Sequence, residues 1–241
     1  MFDKLVIHKS VGSTQDLARE LAQQGEPEGA AVMALEQTSG RGRAGHSWIS
    51  PPGKNLALSL LLRPTIDPTE AALLGMMASI SAAETVEACG VRKAELKWPN
   101  DVWVNGRKIA GILPEAALTN RTVEYVILGI GLNVNSEETD FPPELRDTIT
   151  SISLSSGRKH DLEQTARLFL QETAKLYTRV LHDGCGFIPA LWETRWAHRN
   201  SFFTREGVRY KAESIAADGS LVALSECGEL LRFTSGQVDV I

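Results

Sequence analysis

The sequence predicts an α/β fold of the α+β kind, with a small all-β barrel at its C-terminal end. Three observations carry that prediction. Strand-length apolar runs alternate with amphipathic, helix-length stretches as far as residue 198. Over residues 199–241 the pattern changes to short β-type runs broken by turn signals. The 241-residue chain is 43% hydrophobic and 23% charged, an ordinary globular balance that suffices for one large domain and one small one.

Taken in order, Leu5–Ile7 opens a short strand. Ser13 with Asp16 reads as a capping box before a helix carrying Leu17 and Leu21 on one face. The run Ala30 to Leu35 suits a buried strand, and a Gly/Arg-rich loop follows it. The next strand spans residues 55–62. Asp67 then caps a helix with Pro68 in its first turn, ended by Gly90. Residues 96–98 and 102–104 are strands, and Asn105-Gly106 is a hairpin turn returning through 107–115. Residues 123–134 form the strongest strand signal. A long helix spans 161–181, with Leu162, Ala166, Phe169, Leu170 and Tyr177 inward. A shorter one is expected over 187–198. Runs at 202–204, 208–210, 221–224 and 230–233, separated by Asp218-Gly219 and Ser235-Gly236, make the terminal barrel. The domain boundary is placed between residues 198 and 199.

Several function classes are excluded early. The net charge of −5 does not suit a protein whose main partner is nucleic acid, because phosphate contacts require a basic face. Cys89, Cys185 and Cys227 are odd in number and widely spaced, which argues against disulfides and structural zinc. The five histidines show no H-x-x-x-H spacing. The N-terminus has no signal-type apolar core, and no apolar run reaches the ~20 residues of a membrane span, so a reduced, cytoplasmic protein is expected.

Four segments carry chemistry. Gly40-Arg41-Gly42-Arg43-Ala44-Gly45 matches G-x-G-x-x-G, but a dinucleotide site needs a helix directly after it. The continuation, residues 46–53, contains Pro51-Pro52-Gly53 and does not start a helix. A mobile cationic loop suits the segment better, with Arg41 and Arg43 offering forked donors to an anion. In Lys97-Trp98-Pro99-Asn100-Asp101, a proline fixes the backbone so that an amide and a carboxylate project together; an Asx turn is the simpler alternative. Lys108 lies in an otherwise apolar strand. Directed inward it needs a partner or ligand; directed outward it needs nothing. Gly129 to Asn135 combines glycines that permit close approach with the amide of Asn133.

Individually these signals are weak, but their order is specific. Ser13-Thr14-Gln15, then Glu36 to Arg43, Trp48-Ile49-Ser50-Pro51, Lys97 to Asp101, Lys108 to Leu113 and Gly129 to Asn135 together resemble the biotin protein ligase family, in the short form that lacks an N-terminal helix-turn-helix. The match is motif by motif to about residue 135 and one of pattern beyond it. The resemblance implies a mixed-sheet biotin/lipoate ligase-like catalytic domain, residues 1–198, and an SH3-like barrel, residues 199–241. It implies an ATP-dependent ligase that forms biotinyl-5′-AMP and transfers biotin to a lysine of a biotin carboxyl carrier protein domain.

By the same resemblance Lys108, Asp101 and Arg43 are the catalytic residues, with Asp101 orienting or deprotonating the acceptor lysine. Ser13, Thr14, Gln15, Gln37, Arg41, Gly42, Arg43 and Lys108 bind biotin. Trp48, Lys97, Asn100, Asn133 and His46 bind ATP. Mg²⁺ accompanies ATP, and no side chain of the chain is assigned to it. The resemblance admits a homodimer, gives no membrane role, and with no segment before Ser13 long enough for a helix-turn-helix, no DNA binding is expected.

Two departures stand out. His46 occupies a position where the family usually carries arginine, which predicts weaker nucleotide binding that His46→Arg would partly rescue, because histidine is shorter and largely neutral at pH 7. Gly12 stands where many members have serine. The runner-up is a lipoate or octanoate ligase of the same general architecture; a non-enzymatic biotin or nucleotide binding module is the other class weighed. Ser156-Gly157-Arg158-Lys159 matches S-x-x-K without companion motifs and is set aside.

Overall fold

The structure, a computed structural model, describes residues 1–45, 47–234, 236 and 239–240. The chain runs β1 (Leu5–His8), α1 (Thr14–Gln23), β2 (Ala31–Ala34), β3 (Leu56–Leu62), α2 (Ala71–Ala88), β4 (Glu95–Lys97), β5 (Asp101–Val104), β6 (Arg107–Thr119) and β7 (Thr122–Leu132). It continues through α3 (Ile152–Ser156), α4 (Leu162–Asp183) and α5 (Ile188–Glu193) into β8 (Phe202–Arg205), β9 (Val208–Ile215), β10 (Leu221–Ser225), β11 (Leu230–Phe233) and β12 (Asp239–Val240).

The first seven strands form one mixed sheet in the order β1-β2-β3-β7-β6-β5-β4, in which only β1 and β2 pair in parallel. Every residue of β3 is buried, because the sheet is covered on both faces. Leu56, Leu58, Leu60 and Leu62 join the core under α2 and α4, while Leu61 faces Ala18 and Ala22 of α1. Leu17 and Leu21 are only half-buried, and the small residues Ala18 and Ala22 let the helix lie close on β3 and β7. The expected capping box is absent: Ser13 is the N-cap residue, but its hydroxyl makes no cap bond.

The hairpin turn at Asn105-Gly106 forms as expected, with φ of 50° and 76° at its two residues. Strand β6 runs beyond the expected Glu115 to a second turn at Asn120-Arg121, which lacks the glycine that would have announced it. The helix expected to reach His198 stops at Glu193. Beyond it the backbone is captured by the edge of the sheet, with Leu96 N donating to Arg195 O at 2.8 Å and Ala197 N to Leu96 O at 2.9 Å. No described helix is long and apolar enough to cross a membrane.

Strands β8–β12 form a separate antiparallel sheet in the order β11-β10-β9-β8-β12, packed around Phe203, Tyr210 and Phe233. Two bonds tie it to the larger sheet's layer: Trp98 Nε1 donates to Gly219 O at 3.0 Å, and Ile215 N to Glu193 Oε1 at 2.6 Å.

Candidate functional site

One large cavity, of about 710 Å³, opens on the face of β5, β6 and β7 that also meets the N-terminus of α1. The loop after β2 lies along it through Arg41, Gly42, Arg43, Ser47 and Trp48.

One end is neutral. Thr14 donates to Gln37 Oε1 from both its backbone N, at 2.8 Å, and its hydroxyl, at 3.1 Å. Ser59 Oγ completes the chain with a bond to Thr14 Oγ1 at 2.9 Å. Gln15 Nε2 donates to Leu113 O at 3.0 Å, which fixes the amide's orientation. Two atoms here, Ser13 Oγ and Gln15 Oε1, are buried and have no partner among the described residues. Buried polar atoms are seldom left so, and unpaired ones at a cavity wall are open to a partner such as water or a ligand.

The other end is charged. Lys108 Nζ pairs with Asp101 Oδ1 at 2.8 Å, and Asp101 is the only acidic side chain among the described residues that line the cavity. A β-bulge makes this pair: Val102 opposes Ala110 and Trp103 opposes Lys108, which leaves Ile109 as the extra residue. Because strand side chains alternate, the bulge turns Lys108 onto the face of Gly111, opposite Asp101. Burial lowers the pKa of Arg43, and nearby Asp101 opposes that shift, so the guanidinium is a cation held in a poorly solvated place. Trp48 lies over the two central strands where both carry glycine. A Cβ on Gly131 would stand 2.2 Å from its ring, and one on Gly111 3.4 Å. Lys108 Nζ sits 5.9 Å from the same ring's centroid, and Lys97 Nζ 4.7 Å from that of Trp103.

The cavity thus brings together Ser13, Thr14, Gln15, Gln37, Arg41, Gly42, Arg43, Trp48, Lys97, Asp101 and Lys108 of the residues expected from sequence. Two others are not brought to it. The amide of Asn133 is spent inside the fold, its Nδ2 donating to Thr150 O and its Oδ1 accepting from Asn55, at 3.0 and 3.1 Å. Asn100 is buried behind Asp101, where its carbonyl accepts from Ile112 N at 2.9 Å. His46 lies outside the described residues. Arg41 also differs from expectation, because its guanidinium engages two protein carboxylates, Asp16 at 2.8 Å and Glu115 at 3.5 Å.

Sequence reasoning missed Trp103, although its position two residues after Asp101 on a strand puts it on the same face. It also missed Leu145, Thr148 and Ile149. They reach the cavity because the backbone around Thr148 and Thr150 pairs with Lys108, a contact with no sequence signal. The loop's short 3₁₀ turn at Arg43–Gly45 is followed by a bridge between Ser47 and Arg41, and no helix begins there among the described residues.

A model of the Biotin/lipoate A/B protein ligase family matches residues 7–133, more than half of the chain. The chain belongs to that family. Among curated relatives, the Bifunctional ligase/repressor BirA of Bacillus spizizenii is 39% identical over 194 residues, covering 80% of this chain and 60% of the relative. A Biotin--[acetyl-CoA-carboxylase] ligase of Paracoccus denitrificans is 43% identical over 105 residues, 43% of each protein. The chain therefore spans less than two thirds of the length of these relatives. Among solved structures, a biotin protein ligase from Aquifex aeolicus in complex with biotin and ATP superposes with a TM-score of 0.81 at 28% identity, over 100% of this chain and 99% of that one.

Proposed function

We propose that the chain is a biotin protein ligase: it joins biotin and ATP into biotinyl-5′-AMP and pyrophosphate, then transfers the biotinyl group to a lysine of a biotin carboxyl carrier protein domain. The observation that supports this most directly is the two-ended cavity. Unpaired neutral atoms at Ser13 and Gln15 suit the ring system of biotin, a neutral cyclic urea, and cations at Arg43 and Lys108 suit a carboxylate that must meet a phosphate.

In the first step a biotin carboxylate oxygen forms a bond to the α-phosphorus as the bond to pyrophosphate breaks. Two anions must come together, so fixed cations offset their repulsion; Arg43 and Lys108 fill that role. Trp48 offers its ring to the nucleotide, and Lys97 a charge. In the second step the acceptor amine attacks the acyl carbon and AMP leaves. Asp101, which holds Lys108 at 2.8 Å, orients the amine or takes its proton. The loop from Gly40 to Trp48 excludes water from the mixed anhydride. The division proposed is a catalytic domain over residues 1–198 and a terminal barrel over 199–241, the latter bracing the Trp98 segment through Gly219.

Mg²⁺ is expected with ATP. Among the described residues no cluster of three or more His, Cys, Asp or Glu side chains can cage it, and the single lining carboxylate is already paired with Lys108. That donor set does not fit a protein-held ion; it fits one carried in by the phosphates, which is how Mg²⁺ commonly binds.

The test is to incubate the purified protein with biotin, ATP, Mg²⁺ and a biotin-carrier domain and read the carrier by intact mass. A biotinyl increment that disappears without ATP is the expected result. Absence of both that increment and biotin-dependent ATP–pyrophosphate exchange overturns the proposal; exchange driven by lipoate in its place points to the related acyl ligases.

A further inference from the structure

Lys97, which offers a charge to the nucleotide, is carried on two aromatic side chains that the two-step chemistry does not use. Asp101 and Trp103 lie two residues apart on β5 and so share a face. Across the β4–β5 ladder Lys97 stands opposite Asp101 and Glu95 opposite Trp103, which makes Lys97 and Trp103 diagonal neighbours. The lysine uses that diagonal: its Nζ lies 4.7 Å from the centroid of the Trp103 ring, within the reach of a cation–π contact. The imidazole of His198 meets the same ring at 5.3 Å between centroids and 90° between planes, an edge-to-face arrangement that aromatic rings favour.

The histidine comes from outside the strands that form the cavity. Leu96 N donates to Arg195 O at 2.8 Å and Ala197 N to Leu96 O at 2.9 Å, so the chain beyond α5 runs along β4 and delivers His198 to Trp103. There His198 is half-buried at the seam with the terminal barrel, sharing a small cavity with Phe203 and Ala212. Burial holds its pKa below the usual value, the Lys97 charge adds to that shift, and Glu95 opposes it, so the ring packs as a neutral group near neutral pH. A neutral ring stands close to a lysine without repelling it. Trp103 and Lys97 line the large cavity and His198 does not, so His198 reaches the site only through its neighbours.

We propose that Trp103 and His198 are positioning residues that hold the Lys97 ammonium at the charged end of the cavity, Trp103 by lying against it and His198 by fixing the Trp103 ring. A lysine carries its charge on a flexible four-carbon stem, and in solvent that charge visits many positions. Resting on a ring that is itself wedged, it spends more of its time where a phosphate oxygen would meet it. Holding the ammonium reduces the side-chain ordering that nucleotide binding must supply, and that saving appears as affinity. His198 sits in the connection between the catalytic part and the barrel. That connection therefore tunes the hold on the nucleotide and leaves the neutral end untouched.

The consequence for catalysis rests on the ligase reading, but the placement of Lys97 is measured without substrate. In full-length protein carrying isotope-labelled lysine, the Lys97 methylene next to Nζ is assigned in the NMR spectrum by its loss in Lys97→Met. It should resonate upfield of the other lysine signals, because it lies over an aromatic ring, and His198→Ala should return it most of the way toward them. A Lys97 signal at the ordinary position in the wild type overturns the proposal, whatever the variants do. In biotin-dependent ATP–pyrophosphate exchange, His198→Ala should raise the KM for ATP by roughly threefold to tenfold, the scale of one aromatic or cation–π contact, and leave the Kd for biotin unchanged. His198→Phe keeps a ring against Trp103 and should restore the wild-type KM. In a Trp103→Leu background His198→Ala should add nothing further, since both act through one contact. An unchanged KM, effects that multiply, or an equal loss of biotin affinity overturns the proposal. An upfield Lys97 signal that His198→Ala abolishes, in a protein without biotin-dependent exchange, leaves the placement standing and removes the ligase reading.

Discussion

The two ends of the cavity hold their side chains by opposite means. At the neutral end Thr14, Gln37, Ser59 and Gln15 sit on a helix, a strand and the chain just past β2, joined by hydrogen bonds of 2.8–3.1 Å. Neutral groups are held there at little desolvation penalty, so rigidity is easily maintained. At the charged end Arg43 rides a loop, Lys108 depends on a bulge, and Asp101 pairs with Lys108 while also acting on Arg43. Concentrated positive charge is unfavourable until an anion arrives, and that is the property a site for two anions needs. The difference teaches that recognition of the ring system and activation of the carboxylate should be separable by mutation.

The largest separation is expected at Lys108. Lys108→Ala removes a cation from the charged end and leaves Asp101 without its partner. Biotin-dependent ATP–pyrophosphate exchange should fall roughly 10²- to 10³-fold, as on removing one preorganised transition-state donor. Biotin binding measured calorimetrically without ATP should fall far less. Equal losses in the two measurements would break the comparison between the ends.

A paired substitution on one strand sharpens it. Gly131 and Gly129 are two residues apart on β7 and face the same way, one under Trp48 and the other under Gln15. A methyl group on Gly131 meets the indole at 2.2 Å, and a rigid ring must leave its place. Gly131→Ala should therefore weaken ATP by roughly 10- to 100-fold, the scale of about an ångström's misplacement, and affect biotin little. On Gly129 the methyl meets the end of the Gln15 side chain at 2.8 Å, and a flexible amide yields more easily. Gly129→Ala should weaken biotin, by less than Gly131→Ala weakens ATP. Titrations of both ligands against both variants give four numbers, and a crossed pattern is the expected outcome.

The sequence made the parts legible in proportion to how local their causes are. The hairpin at Asn105-Gly106, the Asp67 cap and the buried run of β3 follow from residues that act on their own neighbours, and they were readable. Lys108 was not, because a strand's parity says whether a side chain faces in or out only if no bulge intervenes, and the bulge at Ile109 reverses the answer. Asn133 misled for a related reason. An amide beside glycines suits a ligand contact, but a second amide, Asn55, 78 residues away in sequence, takes it first. Leu145, Thr148 and Ile149 reach the cavity through a long connection whose course is set by pairing with Lys108, so nothing in their own residues marked them. The ordered run of motifs named residues that the fold brings to one cavity where separate residues could not, since it carried the spacing that the fold later closes.

The smallest effect belongs to Ser13, and it has two signs. Its hydroxyl is buried at the neutral end with no protein partner among the described residues, and a polar group buried without a partner costs about 1–3 kcal/mol. Ser13→Ala removes that penalty. The ligand-free protein should melt a few degrees higher, at roughly 2–4 °C per kcal/mol for a chain of this size. The same variant should bind biotin about fivefold more weakly, since one hydrogen bond worth about 1 kcal/mol has been lost. A residue that only caps α1 would lower the melting temperature when removed, because loss of an N-cap bond destabilises its helix. Thermal unfolding with and without biotin therefore separates the two roles: a stabilised apo protein with a smaller biotin-induced shift identifies Ser13 as a group left unpaired for a ligand, and a destabilised one returns it to the helix cap.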